Sequence, residues 1–203
     1  MESKVVYFES IKTDNSEETF SLVKEKLNNP DVKKLVLAST TGATARKAMD
    51  FFKDSGVKLI VVPHQFDFIR KENPFPQELV KTLRDAGHEV HFGTMLFHTD
   101  NMYGSTTPSV MANLLRCFSQ GVKVCFEIVF MATDAGYLKS GEKIIAMAGT
   151  GRGSDTALVM QAASSQNIRK LRVNELICKP LNPWNIDELK EKMDTRKGDT
   201  PSL

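Results

Sequence analysis

The chain has 203 residues, which is enough for one domain with a substantial core, and a second independent domain would have to be small. Its 27 Lys and Arg residues nearly balance its 25 Asp and Glu residues, so the charge gives no indication of nucleic-acid or membrane-surface binding, and local groups would have to hold any anionic ligand. The three cysteines, Cys117, Cys125 and Cys178, form no Cys-x-x-Cys pair and no Cys/His cluster, which argues against a disulfide framework and a structural zinc site.

The start of the sequence is short and polar and leads directly into the apolar residues 5–8, unlike a signal peptide. No apolar run reaches the roughly 20 residues that a membrane-spanning helix needs. We therefore expect a cytoplasmic protein that binds neither nucleic acid nor membrane. Residues 1–194 are expected to form a single α/β domain, and the polar tail 195–203 is expected to fray.

Apolar runs and amphipathic segments alternate along the chain. The apolar runs predict strands at 5–8, 35–38, 57–62, 89–92, 143–148, 156–160 and 171–178. The spacing of apolar residues and the capping residues predict helices at about 13–29, at 45–52, at 77–86, from 108 to the glycine at 121, at about 123–138 and at 185–193. This alternation predicts a three-layer α/β/α fold with a mostly parallel central sheet.

A hydroxyl-rich turn, Ser39-Thr40-Thr41-Gly42, connects the second predicted strand to its helix, and Thr44 follows in the first helical turn. The first amides of a helix have no intrahelical partner and carry a partial positive charge, so this turn is suited to bind a phosphate. Gly42 lets the backbone approach a ligand closely. The alternative is that a Ser or Thr side chain only caps the helix, although four hydroxyls in six residues are more than capping requires.

A glycine-rich segment, Gly149-Thr150-Gly151-Arg152-Gly153-Ser154-Asp155-Thr156, directly follows the predicted strand 143–148. Its alternating glycines free the backbone to surround an anion, and the Arg152 side chain is suited to a bidentate phosphate contact. The spacing Gly-x-Gly-x-Gly differs from the Gly-x-Gly-x-x-Gly of dinucleotide-binding folds, and the Gly-Lys-Ser/Thr of a P-loop is absent from the sequence. A turn between two strands, with Arg152 facing solvent, is the alternative interpretation.

Two further connections at the same predicted edge, 63–76 and 93–107, are long for an α/β fold, which favours a functional role or a lid. They offer aromatic and Met side chains for a flat ring and polar groups for its edge. The alternative is that these loops pack on each other or on a partner subunit. His64 lies at a strand end, where it can contact a ligand or take a structural hydrogen bond.

Single titratable residues give weaker indications. The histidines other than His64 show no metal-ligand pattern, and we predict no metal site. Glu127 lies between two apolar residues in a helix that should be buried, so its carboxylate needs partners. We predict that Glu127 braces the glycine-rich loop through Arg152 or the loop amides, rather than acting as a general base.

Three segments carry a resemblance to a known family: 37–45, 127–136 and 148–157. Together they resemble a small family of prokaryotic proteins that is similar to the C-terminal α/β domain of pyruvate kinase, standing alone without the barrel. In pyruvate kinase, a hydroxyl-rich turn and a later glycine-rich loop with an Arg hold the phosphates of a sugar-bisphosphate effector, and their counterparts here are 39–44 and 149–156. For the stand-alone family, the resemblance implies FMN in the equivalent crevice. The pyruvate kinase reaction does not carry over, because its active site lies in the barrel.

We therefore predict that the chain binds a phosphorylated small molecule, FMN in particular, in a crevice at the carboxyl ends of the strands, as a binding or sensing protein. One alternative is an enzyme, either a flavin-dependent oxidoreductase or a phosphate-ester-processing enzyme. Another is a structural or assembly module that forms a homo-oligomer through exposed helical faces, because pyruvate kinase C-terminal domains make subunit contacts.

Overall fold

The computed structural model describes residues 2–68 and 71–191. Its strands are β1 Val6–Phe8, β2 Lys34–Ala38, β3 Lys58–Val62, β4 Glu89–Val90, β5 Lys143–Ala148, β6 Thr156–Gln161 and β7 Arg172–Pro180. They form one sheet in the order β1-β7-β6-β5-β2-β3-β4. Strand β6 is antiparallel to both of its neighbours, and the other neighbouring pairs are parallel. The predicted α/β fold with a mostly parallel sheet is confirmed.

Helices cover both faces of this sheet. They are α1 Ser16–Lys26, α2 Ala43–Phe52, α3 Gln77–Asp85, α4 Asp100–Tyr103, α5 Thr107–Arg116 and α6 Gln120–Asp134. Leu96–His98 and Ser165–Lys170 are short 3-10 segments, and residues 186–191 are also helical. The buried side chains of α1, α2 and α3 pack on one face of the sheet, those of α6 pack on the other, and α5 lies against α6. Within the described ranges, no helix is long and apolar enough to cross a bilayer.

The central strands are apolar on both faces because both faces are covered by helices. In β2, Leu35 and Leu37 pack toward α1, α2 and α3, whereas Val36 between them packs toward α6. Strand β5 repeats the pattern, with Ile145 on the first side and Ile144 on the second. These strands carry a continuous apolar run in the sequence for this reason, and the run was sufficient to predict them.

The topology brings two distant parts of the chain together at the carboxyl ends of the neighbouring strands β2 and β5. From β2 the chain proceeds outward through α2, β3, α3 and β4, and it then returns through α5 and α6 on the opposite face to reach β5 beside β2. Leu37 is paired with Met147 in the parallel register, so the two strands end next to each other. Ligands of open α/β sheets bind where neighbouring strands lead in opposite directions. The turn 39–42 and the loop 149–155 both begin at this point.

Several predicted boundaries differ from those of the structure. Gly121 does not end a helix but lies in the first turn of α6, whose N-cap Ser119 accepts a hydrogen bond from the Val122 amide at 3.0 Å. The predicted strand 89–92 is only two residues long, because the chain leaves the sheet after His91 donates its amide to the Val61 carbonyl. The end of the predicted helix 185–193 and the tail 195–203 lie outside the described residues.

Candidate functional site

The hydroxyl-rich turn forms the N-terminal end of α2. Gly42, its N-cap residue, adopts the left-handed conformation with φ of 84°, which favours glycine. The Ser39 hydroxyl accepts a hydrogen bond from the Ala45 amide at 3.2 Å, so Ser39 caps the helix, as the alternative interpretation had it. Thr41 is exposed, and Thr44 is buried in the first helical turn. The turn therefore combines a structural cap with an exposed hydroxyl and the amides of a helix start.

The glycine-rich loop is organised from within by Asp155. Its carboxylate accepts hydrogen bonds from the Thr150 amide at 2.8 Å and from the Thr156 hydroxyl at 2.7 Å. Burial raises the pKa of Asp155, although these hydrogen bonds lower it. Gly151 and Gly153 have φ of 81° and 63°, so the turns of the loop use a conformation that other residues rarely adopt. The buried Asp155 carboxylate therefore fixes the conformation of the loop through its two hydrogen bonds.

The same loop rests on the start of α1. The Ser154 amide donates a hydrogen bond to the Ser16 hydroxyl at 2.9 Å, and a Cβ at Gly153 would lie within 3.0 Å of both Ser16 and Asp14. Asp14 also forms an ion pair with Lys47 of α2 at 2.8 Å. Burial raises the pKa of Asp14, but the hydrogen bonds from Lys47 and Ser16 together outweigh this effect and lower the pKa to about 2. Through these contacts the starts of α1 and α2 and the glycine-rich loop form one connected site.

Three polar side chains of the loop have unused hydrogen-bonding capacity. Arg152 is exposed and forms no ion pair with any residue in the described ranges. The hydroxyls of Thr150 and Ser154 are buried and have no hydrogen-bond partner in the described part of the chain. A buried polar group without a partner costs on the order of 1–3 kcal/mol, so these hydroxyls favour an additional polar group at the loop.

Glu127 is placed differently from the prediction. Its carboxylate accepts hydrogen bonds from Lys123 Nζ at 2.6 Å and from the Phe97 amide at 2.9 Å. The expectation that Arg152 or the loop amides would partner Glu127 is therefore wrong. The reason is local, since Lys123 precedes Glu127 by one helical turn and the two side chains lie on the same side of α6. A lysine at this spacing within an otherwise apolar segment was the signal in the sequence.

A chain of polar and aromatic contacts connects this ion pair to the hydroxyl-rich turn. Lys123 Nζ lies 3.0 Å from His98 Nε2, and the ring of His98 packs against Phe68 with centroids 4.9 Å apart. Phe68 in turn packs on His64 at 5.2 Å, and His64 Nε2 lies 3.3 Å from the Thr40 hydroxyl. Burial lowers the pKa of His64, and burial together with Lys123 lowers the pKa of His98 to about 4. Both rings are therefore neutral at pH 7.

The structure thus brings most of the predicted site residues together. Segments 39–44 and 149–156 lie at neighbouring strand ends, and His64 contacts the first of these segments at Thr40. Glu127 instead fastens the 3-10 segment Leu96–His98 to α6. Sequence reasoning missed the start of α1, whose contribution depends on the sheet order. Within residues 2–68 and 71–191, no group of three His, Cys, Asp or Glu side chains is arranged to hold a metal ion.

Comparison with known proteins finds solved structures and a family model that match this chain. Among solved structures, a pyruvate kinase from Cryptosporidium parvum is 15% identical with a TM-score of 0.41, and the match covers 74% of this chain and 23% of that one. A second, Cryptosporidium parvum pyruvate kinase in complex with ADP, is 16% identical with a TM-score of 0.41, with coverages of 74% and 24%. The chain therefore spans about a quarter of the length of these pyruvate kinases. A family model described as the pyruvate kinase alpha/beta domain matches residues 17–160, a range that includes both loops of the site. The chain belongs to the family of the pyruvate kinase alpha/beta domain.

Proposed function

We propose that this protein binds a phosphate-bearing small molecule between the hydroxyl-rich turn 39–44 and the glycine-rich loop 149–156, and that FMN is this molecule. The observation that carries the proposal is the position of both segments at the adjacent ends of β2 and β5, where the chain leads away in opposite directions. Ligands of open α/β sheets bind at such a point, and both segments here are rich in hydrogen-bond donors.

The phosphate is assigned to the start of α2. The first amides of α2 have no intrahelical partners, although that of Ala45 already donates to Ser39, and the helix dipole favours an anion there. The exposed Thr41 hydroxyl adds a donor, whereas Ser39 is occupied as the cap. Because Lys47 forms an ion pair with Asp14, its positive charge is largely neutralised and attracts a bound phosphate only weakly. This proposed phosphate seat at the start of α2 therefore binds through backbone amides and hydroxyls more than through cationic side chains.

The glycine-rich loop supplies the opposite wall. Arg152 is exposed, and we infer that its guanidinium makes a charge-assisted contact with the phosphate. The buried hydroxyls of Thr150 and Ser154, which have no partner in the described part of the chain, are the groups that a polar ligand or a water bridge would satisfy. Asp155 holds the loop in this shape through its two hydrogen bonds.

The flat ring of FMN requires apolar surface beside the phosphate seat. The segment after β3 provides aromatic side chains, since Phe68 packs between His64 and His98 and Phe66 is exposed against Phe92. Aromatic rings of this kind suit contact with a flat flavin ring. His64 connects them to the hydroxyl-rich turn, because its Nε2 lies 3.3 Å from the Thr40 hydroxyl. FMN, when bound, supplies one- and two-electron redox chemistry, and the residues of the chain bind and orient it.

A comparison of FMN with riboflavin tests this proposal, because the two differ only in the phosphate. The protein as purified is examined by absorbance and mass spectrometry, and its melting temperature is then measured with added FMN, riboflavin or inorganic phosphate. We expect FMN to raise the melting temperature clearly more than riboflavin does. An equal response to both flavins would contradict the phosphate seat, and no response to FMN would overturn the flavin assignment.

The Thr41→Asp variant tests the position of the seat. An acidic residue at a helix start favours the helix but repels a phosphate, so a loss of FMN binding cannot be attributed to a weakened α2. The matched control is Thr106→Asp at the start of α5, which has the same chemistry outside both loops. Unchanged FMN affinity in Thr41→Asp would show that the phosphate binds elsewhere. Sustained consumption of NADH or NADPH by the FMN-loaded protein would instead favour the oxidoreductase alternative.

A further inference from the structure

One face of the molecule exposes a line of apolar side chains along α5 and the residues directly after it. Val110, Leu114 and Phe118 are spaced four residues apart and are 63%, 67% and 57% exposed. On the other side of the helix, Met111 and Leu115 turn inward. The helix therefore has two apolar sides, one of which packs on the protein while the other forms an exposed ridge.

A groove of about 350 Å³ lies beside this ridge. It is bounded by α4, α5 and the two 3-10 segments, and Phe97 and Phe130 are buried within it. Its apolar lining residues are Leu96, Phe97, Tyr103, Met111, Phe130 and Ile168. Met111 belongs to α5 and lines the groove, so the ridge and the groove are parts of one continuous surface.

The exposed area of this surface approaches what a stable dimer requires. Met102 and Tyr103 of α4 are 67% and 72% exposed and extend the ridge across the groove. If each of these five side chains has roughly 150–250 Å² of surface when fully exposed, they contribute on the order of 600 Å². A stable interface buries about 800 Å² on each partner. Such a patch lies at the upper limit of what monomeric proteins expose.

The charge around the ridge favours a second copy of the chain as its occupant. Asn113 and Thr106 are exposed and uncharged. The Arg116 side chain donates hydrogen bonds to Asn113 and Gln120 at 2.7 Å, and the Asp100 carboxylate is bonded to the Ser109 hydroxyl. A symmetric contact brings each surface against itself, so like charges on it disfavour the contact. In residues 100–118 the charged side chains are Asp100 and Arg116, which have opposite signs, and the exposed Arg169 and Lys170 lie at the side of the groove, after Ile168.

We propose that two copies of this chain associate through the α4–α5 face, with the ridge of each copy in the groove of the other. A ridge and a groove on the same patch are self-complementary under a two-fold axis, which is the requirement for an isologous dimer. The proposal is independent of ligand binding, because the phosphate seat lies at the ends of β2 and β5.

Sedimentation of the full chain over a concentration series tests this proposal. We expect the wild type to approach twice its monomer mass of 22.7 kDa. Leu114→Arg, on the ridge, and Ile168→Arg, in the groove, should each weaken self-association by more than about tenfold. Both side chains are substantially exposed, so the variants should keep the wild-type circular dichroism spectrum. The matched control is Val173→Arg, which also replaces an exposed apolar side chain by Arg but lies on β7. This variant should leave the dimer intact.

Other outcomes would overturn the proposal. A wild type that stays monomeric throughout the concentration series would mean that this face does not pair with itself. A dimer that persists in both Leu114→Arg and Ile168→Arg would have its interface elsewhere. Dissociation caused equally by Val173→Arg would also exclude the α4–α5 face as the specific contact.

Discussion

The ion pair of Lys123 and Glu127 allows a prediction with a defined magnitude. The two side chains are 1% and 2% exposed, and Nζ lies 2.6 Å from the carboxylate. Glu127→Gln keeps the size of the side chain and an oxygen that can accept the Phe97 amide, but it removes the negative charge. The variant therefore leaves the ammonium of Lys123 buried without a counter-charge.

The cost of this change has an upper limit, because Lys123 can lose its proton instead of staying charged. Burial lowers the pKa of Lys123, and Glu127 is the main group that opposes this. The ordinary lysine pKa is 10.5. Deprotonating a lysine with this pKa at pH 7 costs about 5 kcal/mol, since each pH unit corresponds to about 1.4 kcal/mol. Removal of one partner of a buried pair costs about 3–5 kcal/mol in other proteins, so both arguments give the same range.

The same reasoning gives the pH dependence. In Glu127→Gln the loss of the opposing carboxylate lowers the pKa of Lys123 further in the folded state, whereas the unfolded state keeps the ordinary pKa of 10.5. The unfolded state then binds more protons, so the stability of the variant rises with pH relative to the wild type. At pH 9 the maximum cost falls to about 2 kcal/mol. The double variant Lys123→Met with Glu127→Gln removes both charges and should recover most of the lost stability.

Urea unfolding monitored by circular dichroism at pH 7 and pH 9 measures these free energies. The partly exposed pair of Lys58 and Glu89 supplies the control, because Glu89→Gln should cost less than about 1 kcal/mol at either pH. The reasoning would be refuted if Glu127→Gln cost no more than Glu89→Gln, or if its cost were independent of pH. It would also be refuted if the double variant were as unstable as the single one.

Two further predictions concern the contact of α6 with the glycine-rich loop and the acid sensitivity of the fold. Gly121→Ala improves helix propensity, but the new Cβ would lie within 3.0 Å of Thr156, so we expect a loss of about 1–3 kcal/mol in urea unfolding; a gain in stability would contradict the packing. Because burial and Lys123 lower the pKa of His98 to about 4 from 6.5, the unfolded state binds more protons between these values, and stability is lost as pH falls through this window. The melting temperature of His98→Asn should therefore decline less than that of the wild type from pH 6.5 to pH 4, and parallel declines would show that His98 contributes nothing.

The sequence alone was sufficient to predict most of the strands and helices, the fold class and the positions of the two loops. It could do so because these features are local. A strand covered on both faces reads as an apolar run, as in β2 and β5, and a helix start reads as a glycine preceded by hydroxyl residues, as in 39–42. The strand order, which brings β5 beside β2, follows only from packing helices on both faces of the sheet.

Tertiary structure decided the remaining features because they depend on partners distant in sequence. Ser16 and Asp14 meet the glycine-rich loop across more than a hundred residues, which no periodicity can indicate. The apolar spacing of α5 predicts a helix but does not show which of its two apolar sides α6 covers, and in the fold Leu114 is on the exposed side. For Glu127 the sequence correctly indicated a buried carboxylate that needs partners, but only the fold showed that the Phe97 amide and Lys123 satisfy it.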